Sequence, residues 1–342
     1  MKEDKSITRA IIEATVERGL REVDEDPQRS IRKLTDMAKQ LSNGRFIGEV
    51  YSIFQDLLRN EESPYYILID HLLHHTSRKA LKDFGINLGY NSFTRGAKQI
   101  RKIEETSDYQ IPWAISFILD SKKSDQIPAE EINSLINQGL ELGIFTYNVG
   151  IINGLSFIDT LIPIFKAHPG CAFMLCLPDE ELDPDRADSL AECTNVLSFL
   201  KVPGDYNDSN AVLLRGRKAW YGTYGYYNES NASSAMTSTA KDSFSVGSLF
   251  ILLIAENGTP LSTIEETQKA IKESRMEPVS PTLMFDMYGD ALQIKSILSK
   301  GRCFFSFTQD GTIHTDRGYT TVPEGPKNLK ELLRLVLNKE SN

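Results

Sequence analysis

The chain has 342 residues, 40% of them hydrophobic and 25% charged, which suffices for a large buried core and argues against general disorder. Its 47 Asp and Glu against 38 Lys and Arg leave a net charge of -9, so the averaged field repels nucleic-acid phosphates and anionic membrane surfaces. A charged start over residues 1–5 and a longest apolar run of only 249–255 predict neither a signal peptide nor a membrane span, and so a cytoplasmic protein without nucleic-acid or membrane partners.

Residues 1–81 read as an N-terminal helical arm. Ile7, Ile11 and Ala14 with Ile12, Val16 and Leu20 form one apolar face at helical spacing. A second helix opens with Asp26 as N-cap and Pro27 in its first position, carries Ile31, Leu34, Ala38 and Leu41, and stops at Asn43-Gly44. Val50, Phe54, Leu57 and Leu58 mark a third, and Ser63-Pro64 opens a fourth with Tyr65, Ile69, Leu72 and Leu73 on its buried side. His71, His74, His75 and Arg78 fall in one stripe on that helix, a polar face that lacks the third ligand and the Glu of a zinc site. Each helix keeps a polar side, so the arm packs on itself or on the next domain and offers a docking surface for a protein partner.

Residues 82–342 change period. Strands are predicted at 84–88, 113–119, 144–149, 171–176, 196–202, 220–227, 249–254, 282–287 and 303–307, alternating with helices. The clearest helices are 128–142, with Gly143 as C′, and 262–275, with a Ser262-x-x-Glu265 capping box. The basic run Arg215-Gly216-Arg217-Lys218 decorates a helix end, and the Ser- and Thr-rich stretch 228–248 reads as a long loop. Segments 303–307 and 312–315 form a β-hairpin around Gln309-Asp310-Gly311, followed by a last helix at 328–337. The fold class is α/β: a mainly parallel, TIM-barrel-like (β/α) barrel or partial barrel, with the helical arm before it and the hairpin and helix after it.

In such folds ligands meet the loops after the carboxyl ends of strands. That rule selects Asn87, Gly89, Tyr90 and Asn91, then Asp120, Asn148, Asp179, Glu180, Asp205, Tyr226, Tyr227, Asn228, Asp286 and Tyr288. Asn87, Tyr90, Asn91, Asn148, Tyr226, Asn228 and Asp286 are the ligand-binding candidates, amide, phenol and carboxylate groups suited to a polar small molecule. Asp286 lies in an apolar run and must have a partner, because a lone buried carboxylate is costly. No nucleophile–base pair and no phosphate loop stand out, and the acidic run 179–185 lacks calcium-loop spacing and caps the following helix. His314 reads as structural. The cysteines at 171, 176, 193 and 303 have no C-x-x-C spacing; Cys171 and Cys176 share a strand at an odd separation, face opposite sides and cannot hold one metal, so no metal site is expected.

From residue 84 to about 315 the chain resembles the radical S-adenosylmethionine enzymes. The likeness lies in the order of β/α units, in Gly89-Tyr90-Asn91-Ser92-Phe93-Thr94 after the first predicted strand, and in the closing strand-turn-strand from Cys303 to Ile313. The resemblance implies a barrel whose first loop holds a [4Fe–4S] cluster on three cysteines and uses it to cleave S-adenosylmethionine. That loop has no cysteine here, so the expectation is a barrel without a cofactor, neither an iron–sulfur cluster nor S-adenosylmethionine. It would bind a small molecule or a protein partner. The alternative is a cofactor-independent or metal-assisted enzyme acting on a polar small molecule, using Asp286 with Asn and Tyr groups at the strand ends.

Overall fold

Strands buried on both faces need helices over one side and a filled interior on the other, and the central runs of this chain are of that kind. The computed structural model of the protein describes residues 3–23, 27–41, 55–123, 127–276, 280–299, 301–321 and 328–339. The expected cap Asp26, the stop Asn43-Gly44, and Val50 and Phe54 lie outside the described residues.

The strands are β1 Ala114–Asp120, β2 Thr146–Asn153, β3 Ala172–Cys176, β4 Val196–Lys201, β5 Tyr221–Tyr227, β6 Phe250–Ala255, β7 Leu283–Asp286, β8 Phe305–Phe307, β9 Thr312–Thr315 and β10 Gly318–Thr321. They form one curled sheet in the order β10-β9-β8-β1-β2-β3-β4-β5-β6-β7. From β8 through β1 to β7 every pairing is parallel, and β9 and β10 add antiparallel strands beyond β8. The chain therefore has the strand order of a (β/α) barrel, with β8 back beside β1, but it stays open as a half-barrel because β7 is an edge. Side chains occupy the seam: Tyr288, just past β7, packs on Phe304 at 5.2 Å, and Trp113 Nε1 donates to Ala291 O at 2.9 Å.

The helices are α1 Glu3–Glu22, α2 Pro27–Leu41, α3 Tyr65–His75, α4 Arg78–Ile86 and α5 Ala97–Glu104 before the sheet. Then α6 Ala129–Leu142, α7 Phe157–Ala167, α8 Pro184–Glu192, α9 Asn207–Gly216, α10 Ala232–Ser245, α11 Leu261–Met276 and α12 Met287–Leu298 cross between strands, and α13 Leu329–Val336 closes the chain. Gly143 ends α6 at φ 96°, as its C′ position requires, and Asp183 caps α8 by accepting the Arg186 N–H at 2.9 Å with Pro184 at the first turn. The main core lies between the sheet's outer face and these crossing helices, where Ile115, Phe117 and Leu119 of β1 meet Leu135 and Ile136 of α6. Among the described residues no helix is long and apolar enough to cross a membrane.

Three expectations are corrected. Residues 84–88 are not a strand: Phe84 and Ile86 belong to α4, which runs on into a wide, π-type helix Asn87–Gly96. Phe84 and Leu88, one helical turn apart, pack inside the half-barrel on Ala172, Leu197 and Trp220 and fill its floor at the amino ends of the strands. Asn87 and Asn91, also one turn apart, face the loop before β3. Asn87 Nδ2 donates to Pro169 O and Cys171 O at 2.8 and 2.9 Å, and Asn91 Nδ2 to Gly170 O at 2.8 Å and Asn87 Oδ1 at 2.9 Å. Asn87→Ala should therefore cost about 2–3 kcal/mol in a urea melt, because two buried carbonyls lose their donor. A loss under about 0.5 kcal/mol, the level of a neutral surface change, would mean this clamp contributes nothing.

The stretch 228–248 is not a loop but carries α10. Its small residues form a buried stripe, Ala235, Thr239 and Ser243, that lets the helix lie close on β5, where a Cβ on Gly225 would meet Thr239 Oγ1 at 2.7 Å. Thr223 Oγ1 donates to Ser243 Oγ at 2.6 Å on the same face. Ser262 lies inside α11, which starts at Leu261, and β10 was not anticipated. The arm rests on the barrel: Val23, Ile31, Tyr65, Tyr66 and Leu68 bury against Leu249, Phe250 and Leu283, and Tyr65 Oη donates to Arg275 O at 2.9 Å.

Candidate functional site

With the floor filled by α4, the interior is free only toward the carboxyl ends of the strands. There a cavity of about 670 Å³ opens, within the range of small-molecule sites. Alternation sorts the strand residues. In β1 Ser116 and Ile118 point inward, in β2 Gly150 and Ile152, in β5 Tyr224 and Tyr226, and in β8 and just beyond it Ser306 and Thr308.

Strand register assembles a polar row across the wall. Tyr319 pairs with His314, His314 with Ser306, Ser306 with Ser116, and Ser116 with Asn148, so five adjacent strands contribute one residue each at one level. Asn148 Nδ2 donates to Ser116 Oγ at 3.2 Å. Its Oδ1 is buried without a hydrogen-bond partner, on the same face of β2 as Gly150 and Ile152. On the same wall Ile118 and Ile152 lie nearer the carboxyl ends of β1 and β2, and Ile254 of β6 and Met287 just past β7 add to the apolar lining.

Rings frame the side of the seam. His314 stacks on Tyr319 at 4.3 Å and 7°, faces Tyr288 at 6.0 Å and 13°, and takes Phe304 edge-on at 5.6 Å. Tyr319 Oη also donates to Asn257 Oδ1 at 2.8 Å, bridging the hairpin to the loop after β6 across the mouth. Burial holds the His314 imidazole below its ordinary value, with Asp316 opposing. Burial pushes the Tyr226 and Tyr288 phenols up to about 12 and the Cys176 thiol up to about 12. At neutral pH the wall thus presents neutral imidazole, phenol, thiol and amide groups, and no thiolate or phenolate nucleophile.

The predicted residues distribute unevenly. Tyr226 lines the cavity, Asn148 stands in the polar row beside it, and Asn228 holds a lining residue, its Nδ2 donating to Glu256 Oε2 at 2.7 Å. Tyr288, also selected, lines it as well. Asn87, Tyr90 and Asn91 lie on the π-type helix near the floor. Asp286 faces the outer side of β7, where Tyr227 Oη donates to its Oδ2 at 2.6 Å and it caps α12 through the Gly289 N–H. Asp120, Asp179 and Glu180 anchor rim loops: Asp120 accepts from Lys122 N and Asn153 Nδ2, Asp179 from Asp205 N and Tyr206 N, Glu180 from Gly154 N and Leu155 N.

Ser116, Ser306, Tyr319 and His314 were not selected. They become neighbours only through the pairing of β8 with β1, which joins segments nearly two hundred residues apart. His314 alternates with buried Ile313 and Thr315 in a short strand, the only local signal that it faces inward.

No protein-family model and no curated protein matches the sequence. Among solved structures, the chain is similar to SuiB of Streptococcus suis, at 9% identity over 71% of this chain and 69% of that one with a TM-score of 0.48; SuiB has also been solved bound to S-adenosylmethionine and to its precursor peptide SuiA. It is similar to 3-dehydroquinate dehydratase from Geobacillus kaustophilus at 9% identity over 68% of this chain and 90% of that one, with a TM-score of 0.39. A 3-hexulose-6-phosphate synthase matches at 14% identity over 54% of this chain and 97% of that one, with a TM-score of 0.30. Likeness at this level says nothing about chemistry.

Proposed function

We propose that the protein is a small-molecule-binding half-barrel that works without an iron–sulfur cluster. The observation that carries this reading is the carboxyl-end cavity, lined by Ser116, Ser306, His314 and Tyr319 of the polar row and by the aliphatic side chains of Ile118, Ile152 and Ile254.

The chemistry of the thiols supports the second half. Residues 89–94, expected as the cluster loop, lie in the helix Asn87–Gly96 and carry no cysteine, and the segment that follows β1 carries none either. Cys171 packs among the outer helices and Cys176 faces the interior, so these two thiols cannot meet at one metal.

Titration with benzyl alcohol, followed by the side-chain NMR signals of His314, Tyr288 and Tyr319, tests the site. Saturable shifts of these rings are expected. Ile118→Trp should abolish them by filling the cavity while leaving the melting profile cooperative. Absence of saturable shifts in the natural sequence, or their persistence in the Trp variant, would refute binding here.

A further inference from the structure

Charge around the mouth is one-sided. Glu256, Asp310 and Asp316 line the cavity, and among the described residues none of the lining groups is Lys or Arg. No Lys or Arg among the described residues forms an ion pair with these three carboxylates.

Each carboxylate is held by one oxygen. Glu256 Oε2 accepts from Asn228 Nδ2 at 2.7 Å, Asp316 Oδ1 from Phe304 N at 3.2 Å, and Asp310 Oδ1 from the Thr308 and Thr312 hydroxyls at 2.5 and 2.8 Å. The second oxygen of each has no hydrogen bond among the described residues. Such groups are oriented but not neutralised, the condition under which an incoming charge gains most.

Two further observations point the same way. Tyr288, His314 and Tyr319 line the same cavity, and aromatic π systems attract cations. Asn148, 7% exposed, stands behind the lining Ser116 with its Oδ1 an unpaired acceptor, on the same face of β2 as the lining Gly150. Phosphates and carboxylates only accept and carry the wrong sign. The net charge of -9 adds a long-range pull on cations.

We infer that the cavity takes an organic cation: a protonated amine or quaternary ammonium carried on a compact aromatic or aliphatic body. The body lies against Ile118, Ile254 and Met287, and the cationic head lies among the ring stack and the carboxylates. This rests on the small-molecule reading above and adds the sign of the charge.

Calorimetric titration at neutral pH with benzylamine, benzyl alcohol and benzylphosphonate separates the two claims, since the three share a body and differ in charge. Benzylamine is expected to bind about tenfold or more tightly than the alcohol, and benzylphosphonate not at all. In the Glu256→Gln, Asp316→Asn double variant, whose amides keep the acceptors for Asn228 and Phe304, the amine should fall to within about threefold of an unchanged alcohol affinity. Equal affinities for amine and alcohol in the natural sequence, or binding of the phosphonate, would overturn the cation assignment and leave the cavity standing. So would an amine preference that survives the double variant. If neither amine nor alcohol binds, both readings fall.

Discussion

Lys295→Met alone is expected to remove about 3–5 kcal/mol of stability, and Glu104→Gln added to it to return most of that loss. Lys295 is fully buried on α12, and its Nζ meets Glu104 Oε1 and Oε2 at 3.0 and 3.3 Å and the Ser299 hydroxyl. Glu104, at the end of α5, also accepts the Ile111 N–H at 2.6 Å and the Ser299 hydroxyl at 2.7 Å. Truncating the lysine strands a carboxylate in a low-dielectric interior, and the cost of that uncompensated charge exceeds the worth of the bond itself. Gln at 104 removes the charge but keeps an acceptor for Ile111. The pair joins the helix that precedes β1 to the helix that precedes β8, so it clasps the segments leading into the strand pairing that brings β8 beside β1. Urea midpoints of the natural, single and double variants measure this. A loss under about 1 kcal/mol in the single variant, the worth of an exposed pair, would deny the pair its buried cost.

Asp286 should make stability fall as pH rises through about 4 to 6. Burial pushes its carboxyl up from the ordinary 3.8 to about 6, although the Tyr227 hydroxyl and the Gly289 N–H both favour the anion. The folded state then binds the proton more tightly than the unfolded chain, so the contribution of this group is fully present below 3.8 and lost as pH passes the folded value. The difference amounts to about 3 kcal/mol. Asp286→Asn carries no titrating group, so the stability of the variant relative to the natural sequence should improve by about that amount between pH 3 and pH 7, read from paired denaturation curves. A flat difference would show that the carboxyl is not desolvated. Asp286→Ala is another matter. It removes the cap of α12 and leaves the Tyr227 hydroxyl and the Gly289 N–H unpaired, for an expected loss of about 2–4 kcal/mol. Both outcomes would fit a structural carboxylate, since it faces away from the cavity.

The helical crossing segments and most parallel strands were legible because their signals are local. Ala172–Cys176 and Phe250–Ala255 are short apolar runs between amphipathic helices, and Gly143, Asp183 and Pro184 mark helix ends by backbone geometry alone. Misreadings occurred where tertiary packing overrides a local pattern. Phe84, Ile86 and Leu88 alternate as a strand would, yet a helix also brings 84 and 88 to one side, and the hollow floor of the half-barrel selects the helix. The small polar residues of α10 resemble a loop until β5 offers glycine beneath them. Of the residues that the rule of strand carboxyl ends selects, Tyr226 and Tyr288 line the cavity, while Asn148 falls near the amino end of β2, which runs on to Asn153. The rule also selected Asp286, whose burial follows from the sequence but whose outward direction depends on the register of β7 with β6.

What the sequence alone determined was the alternation of β and α segments, the acidic balance, and four cysteines without metal-ligand spacing. Only the tertiary structure decided that the sheet stays open at β7, that β8 brings His314 and Ser306 beside Ser116 and Asn148, and that three carboxylates meet at one mouth. The physical reason is range. Helix caps and hydrophobic periods are set by residues a few positions apart, whereas a binding cavity is set by strand pairings between residues nearly two hundred positions apart, whose register no local signal encodes.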